Sequence, residues 1–309
     1  MSGPIQTEDA DAVATQADVS LVPCIEISSS RAAVIDGQSV RRALPQRGRR
    51  TVGAWCFADH IGPSPMDRKS GLDIGPHPHI GLQTVTWLLS GEVLHRDSLG
   101  SEQVIRPGQL NLMTAGNGVA HSEENTGASG QLHGIQFWVA QPEATRHGAP
   151  AFEHHASLPQ VDIEDAHVTV LIGEFGSVES PARRDTDHVG IDVALHGDTT
   201  LPLRPDYEYA IVVLQGAVGV DAEVVTPGHL AYLGEGRATL TLSAREPTRL
   251  MLLGGVPFEA PILMWWNFVG RTREEIDAAT ESWQQDDGRF PAVASPLERL
   301  EAPPTPWLK

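Results

Sequence analysis

Residues 77–124 read HPHIGLQTVTWLLSGEVLHRDSLGSEQVIRPGQLNLMTAGNGVAHSEE. Gln83–Leu89 is a short run of Thr, Val, Leu and Trp, Gly91 makes a turn, and Pro107-Gly108 opens another strand at Gln109–Met113. The same order recurs downstream. Leu89-Ser90-Gly91-Glu92-Val93 is matched by Leu214-Gln215-Gly216-Ala217-Val218, and Pro107-Gly108-Gln109-Leu110 by Pro227-Gly228-His229-Leu230. The offsets are 125 and 120 residues, so the second copy is slightly compressed. Two homologous β domains are the economical reading.

Strand-like runs extend outward on both sides. Thr51–Ala58, Leu132–Ala140 and Val168–Phe175 accompany the first copy. Val189–Leu195, Tyr209–Leu214, His229–Leu233, Ala238–Leu242 and Arg249–Leu253 accompany the second. Each is rich in β-branched, leucine or aromatic residues and is bounded by Gly, Pro or Asp. Residues 141–165 are polar and show no clear strand, which places a linker between 141 and 185. The expected division is an acidic disordered tail at 1–19, an N-terminal metal-binding barrel at 20–150, a linker and connecting strand at 151–185, and a metal-free C-terminal barrel at 186–309. One helix is expected at 272–285: Thr272-Arg273-Glu274-Glu275 is a capping box, Ile276, Ala279 and Trp283 follow at helical spacing, and Gly288 marks the stop. Pro303, Pro304 and Pro306 point to an extended end.

Composition agrees with an all-β chain. Among 309 residues there are 30 Gly and 23 Pro but only 6% aromatics, the profile of many short strands joined by turns. With 40 acids against 22 bases, the formal charge of −18 repels phosphate backbones and anionic bilayers, so neither nucleic acid nor membrane is an expected partner. No apolar run approaches the roughly 20 residues of a membrane span. The opening MSGPIQTEDADAVATQADVS lacks the basic start and apolar core of a secretory signal. Cys24 and Cys56 form no C-x-x-C pair and read as reduced thiols, which together point to the cytoplasm.

The chemistry lies in two short pairs. In extended chain, residues i and i+2 share a side, and Pro78 keeps the segment extended, so His77 and His79 are presented together. His121 and Glu123 repeat the spacing. On neighbouring strands these supply three nitrogens and one carboxylate, a donor set for a first-row transition metal. The repeat is an internal control. The same offsets in the second copy land on Pro202, Arg204, Thr241 and Ser243, none of them a match for the set. One metal is therefore expected, in the N-terminal half only.

Residues 77–124 resemble the signature of the pirin family within the cupin superfamily. The likeness runs from about Arg49 to Phe290 and includes TVGAWCFADHIGP (51–63), LHGIQFWV (132–139) and FVGRTREEIDAA (268–279). It implies a bicupin: two jelly-roll barrels face to face, with metal ligands at His77, His79, His121 and Glu123. By resemblance the metal is Fe(II), although the donor set also accepts Mn, Ni, Cu or Zn. Several members resemble quercetinases, which cleave flavonols with O2 and release CO. That implies Glu123 as both ligand and base toward the flavonol hydroxyl. Other members resemble metal- or redox-sensing regulators that bind a protein partner. Gln83, Asn117 and Trp265-Trp266-Asn267 depart from the family's usual residues and put the substrate in doubt. Elsewhere, His154-His155 read as exposed loop histidines, His133 as a packed core histidine, His95 and Asp97 as a solvated hairpin pair, and Trp265 and Trp266 as core.

Overall fold

The computed structural model describes residues 25–35 and 38–307. The expected tail at 1–19 and Cys24 lie outside them. Strands dominate, as the turn-rich composition requires, and all pairing within the sheets is antiparallel.

Each half is a large sheet backed by a small one. The N-terminal large sheet runs in the order Arg31–Ile35, Gln38–Leu44, Trp55–Met66, Gly130–Ala140, Leu82–Ser90, Leu110–Thr114, Ala151–His155. Facing it are Ile74–His79, Val119–Glu124, Val93–Asp97 and Glu102–Ile105. The C-terminal large sheet centres on Glu208–Gln215, Thr248–Gly255 and His188–Leu195, and its small sheet holds Thr199–Pro202, Thr239–Ser243, Val218–Val220 and Glu223–Val225. The expected pair of barrels is thus present.

The barrels meet through their large sheets. Trp55, Trp87, Phe137, Leu171, Val212 and Met251 form one apolar cluster across the junction. Both tryptophans are essentially fully buried, so their indole N–H groups need acceptors. Trp55 donates to the Val189 carbonyl at 3.1 Å, and Trp87 donates to Asp192 Oδ2 at 2.7 Å. Each bond crosses from one half to the other.

The stretch 141–165, read as free of strands, contains Ala151–His155 and Gln160–Ile163. Both lie at sheet edges, where water meets one side and the apolar signature of a buried strand is not needed. The ends of the described chain also cross over. Glu26–Ser29 pairs with His229–Gly234 in the C-terminal sheet. The helix, Arg273–Gln285, is capped by Thr272 as its capping box implies, and ends at Asp286 in the left-handed conformation (φ 52°), two residues before Gly288. Its apolar face, Ile276, Ala279 and Trp283, packs with Ile80 and Ala120 of the N-terminal barrel. No helix among the described residues is long and apolar enough to cross a membrane.

Candidate metal centre

The small N-terminal sheet carries the site. Ile74–His79 and Val119–Glu124 pair so that His77 stands directly across from His121. A register shift between His121 and Glu123 then carries the ladder to Ile74. Gly75 is required here for close approach: a Cβ would lie 2.0 Å from the Glu298 carbonyl oxygen, where the C-terminal segment covers the strand.

His77, His79 and His121 are at most 6% exposed, and one donor atom from each lies within 4.8 Å of the others. Burial lowers the pKa of His77 to about 4 and holds His79 and His121 well below the ordinary imidazole value. All three are therefore neutral near pH 7, the form that ligates metal. His77 Nδ1 lies 2.9 Å from the Gly75 carbonyl oxygen and His79 Nδ1 2.9 Å from that of Asn267. A carbonyl only accepts, so both rings carry their proton on Nδ1 and leave the Nε2 lone pair free. His79 Nε2 and His121 Nε2 are 3.0 Å apart. Two bonds of about 2.1 Å at an angle of about 90° give that separation, so this pair is spaced to share a metal.

Glu123 lies on the same strand and is 3% exposed, but it is outside the 4.8 Å group. Its Oε1 accepts a hydrogen bond from Gln136 Nε2 at 2.6 Å. Burial pushes its pKa up to about 7, with the Gln136 bond pulling the other way.

Opposite the imidazoles, the large sheet presents an aromatic row. Phe57 stacks on Trp138 at 4.1 Å, and Trp138 meets His79 edge-on at 5.2 Å. Residues 37–139 match the pirin family model, and residues 189–291 match the model described as the pirin C-terminal cupin domain. A Pseudomonas aeruginosa protein named "Putative quercetin 2,3-dioxygenase" is 47% identical over 285 residues, 90% of each chain. The chain belongs to the pirin family. A pirin-like protein of Caulobacter vibrioides is 36% identical over 82% of this chain and 90% of its own. A crystal structure titled quercetin 2,3-dioxygenase from Acinetobacter baumannii superposes with a TM-score of 0.89 at 42% identity, covering 92% of this chain and 97% of that one.

Sequence reasoning missed three residues around this pirin-type centre. His95 and Asp97, read as a solvated pair, are 5% and 3% exposed. They sit on Val93–Asp97, where His95 is across from Glu123 and Asp97 across from His121. Their i, i+2 spacing matches that of the ligand pairs and was the available signal. Gln136 had no local signal, because it reaches Glu123 from the other sheet. His154 and His155 are half-buried in the edge strand rather than in a loop, with His154 Nδ1 2.7 Å from Asn111 Oδ1. His133 is packed as expected, its Nε2 2.9 Å from that of His60.

The departures from the family pattern fall in different places. Gln83 is fully buried against Thr114, one residue off the Thr84 face and so turned away from the imidazoles. Asn117 is exposed, and its carbonyl accepts from Arg289. Trp265 and Trp266 pack in the cluster around the helix, while the Asn267 carbonyl reaches His79.

Proposed function

We propose that this chain is a metal-dependent dioxygenase able to open quercetin-type flavonols with O2. The observation that carries the reading is the three buried, neutral imidazoles converging within 4.8 Å, in a chain 42% identical to a structure titled quercetin 2,3-dioxygenase. His77, His79 and His121, with Glu123 as fourth ligand, would hold a divalent metal, which would supply Lewis-acid and dioxygen chemistry; Fe(II) is the first choice, and Mn, Ni, Cu or Zn suit the same donors.

The protein's own residues do the rest. Glu123 accepts the hydroxyl proton on a carboxylate oxygen, within a barrel wall that keeps bulk water away. Gln136 aims that carboxylate through its 2.6 Å bond. Trp138, stacked on Phe57 and edge-on to His79, gives the site an apolar wall beside the imidazoles. The four site residues are each at most 6% exposed, so a flavonol reaches them only when covering side chains move aside. That burial is the observation favouring the second reading, a metal-sensing regulator whose surface binds a protein partner.

The test is the fall of flavonol absorbance with matched O2 uptake and CO release by iron-loaded protein. Glu123→Gln keeps an oxygen ligand and removes the base, so kcat should drop by roughly 10²–10⁴-fold with metal retained. No turnover by iron-, manganese- or nickel-loaded protein moves the conclusion to the regulator.

A further inference from the structure

We propose that His95 and Asp97 are positioning residues for the metal centre: they fix His121 with its proton on Nδ1 and its lone pair on Nε2, facing the other two imidazoles. This rests on the metal reading of the three-histidine cluster. It adds residues that no i, i+2 ligand pair includes.

The reasoning begins at the turn after Val93–Asp97. Asp97 Oδ1 accepts the backbone N–H groups of Leu99 and Ser101, both at 2.9 Å. Those amides satisfy one oxygen and hold the carboxylate in the ionised form. The second oxygen, Oδ2, lies 3.1 Å from His95 Nε2. An ionised carboxylate only accepts, so the His95 proton sits on Nε2 and its Nδ1 carries a lone pair. His95 Nδ1 is 3.4 Å from His121 Nδ1. With His95 neutral, that contact is a hydrogen bond when His121 carries its proton on Nδ1 and donates it. His121 Nε2 is then bare, 3.0 Å from the bare Nε2 of His79. Without a metal this contact competes for the His121 proton; a cation at the two Nε2 atoms takes both lone pairs and leaves the proton on Nδ1, where His95 accepts it.

One carboxylate thus sets the tautomer of a ring two hydrogen bonds away. The bond at Nδ1 also makes Nε2 a stronger donor, the usual effect of a partner behind a ligating histidine. His95 cannot turn freely, because Phe152 stacks on its ring at 4.4 Å and 12°. The second barrel supports the assignment. There Val220 stands across from Leu242, as His95 stands across from Glu123, and the barrel with no ligand set carries no such chain.

The experiment uses the full chain, labelled with ¹⁵N and stripped of metal by chelator, with Zn(II) as probe. Long-range ¹H–¹⁵N spectra of the Zn(II)-loaded protein should show His121 ligating through Nε2 with its proton on Nδ1. His95→Phe keeps the stacking on Phe152 but removes both hydrogen bonds, so the Zn(II) Kd should rise about 10–100-fold. His95→Gln offers an amide oxygen to His121 and an amide N–H to Asp97, so it should recover most of the loss. His121 ligating through Nδ1, with its proton on Nε2, in the Zn(II)-loaded parent protein overturns the proposal, even if neither variant folds. So does an unchanged Zn(II) Kd in His95→Phe, or a loss in His95→Gln as large as in His95→Phe. A parent protein that takes up no Zn(II), Fe(II) or Mn(II) removes the metal reading on which the proposal rests, an outcome distinct from uptake with an unchanged Kd.

Discussion

Where the N-terminal barrel sets His77 across from His121, the C-terminal barrel sets Leu201 across from Leu240. Two residues along each strand, His79 and Glu123 become Leu203 and Leu242. All four leucines are buried in the apolar cluster that fills the second barrel. One sheet plan therefore encloses two kinds of interior. The leucine interior gains its stability from burial alone. The histidine interior takes polar groups out of water, which is unfavourable until something pairs with them. Hydrogen bonds from Gln136 to Glu123, from His77 to the Gly75 carbonyl and from His79 to the Asn267 carbonyl offset part of that cost. A cation at the remaining lone pairs offsets more, so metal should stabilise one barrel and leave the other indifferent.

The largest expected difference comes from removing a ligand. His121→Ala should abolish tight metal binding, measured by elemental analysis after dialysis, while cooperative unfolding by circular dichroism persists because the second barrel and the junction are untouched. Full metal retention in His121→Ala would erase the contrast between the barrels.

A smaller effect should appear with pH. Burial places Glu123 near 7 in the metal-free protein, so its carboxyl is protonated below that and charged above it. As the proposed fourth ligand, Glu123 would bind metal in its charged form and release the proton, so affinity should fall as pH drops below about 7, approaching tenfold per unit. His77 is neutral down to about 4 and adds nothing to the slope in this window. Zn(II) competition titrations between pH 5.5 and 8 should show the slope, and Glu123→Gln should flatten it. A slope that survives in Glu123→Gln would assign the proton to another group.

The smallest effect belongs to the second barrel. Thr241 and Ser243 are exposed, so Thr241→Ala and Ser243→Ala should leave metal content unchanged by the same elemental measurement. Loss of metal from either would mean that the two barrels are not independent in this respect.

Those two residues also show how far the sequence could be read. The repeat was legible because glycine turns and Pro-Gly dipeptides punctuate both copies. Counting through loops from Gly216 and Pro227 slipped by one residue, and in a strand one residue exchanges the faces. Pro202, Arg204, Thr241 and Ser243 consequently point outward, and the true counterparts are the leucines beside them. The histidine triad was legible because i, i+2 pairs need only an extended chain. His95 and Asp97 have that spacing too, but a hairpin end looks alike in sequence whether it faces water or a barrel interior. Gln136, Phe152 and the Asn267 carbonyl act across sheets or from the far end of the chain, where no local pattern announces them.

The bond from His79 to the Asn267 carbonyl spans 188 residues. On a ribosome making roughly 5–20 residues per second, His79 is synthesised some 10–40 seconds before the group that orients it. During that interval the histidines exist but His79 is free to rotate. The centre is completed only when the last segment folds back over the first barrel, so a chain that ends early leaves behind a barrel with all its ligands and no finished site.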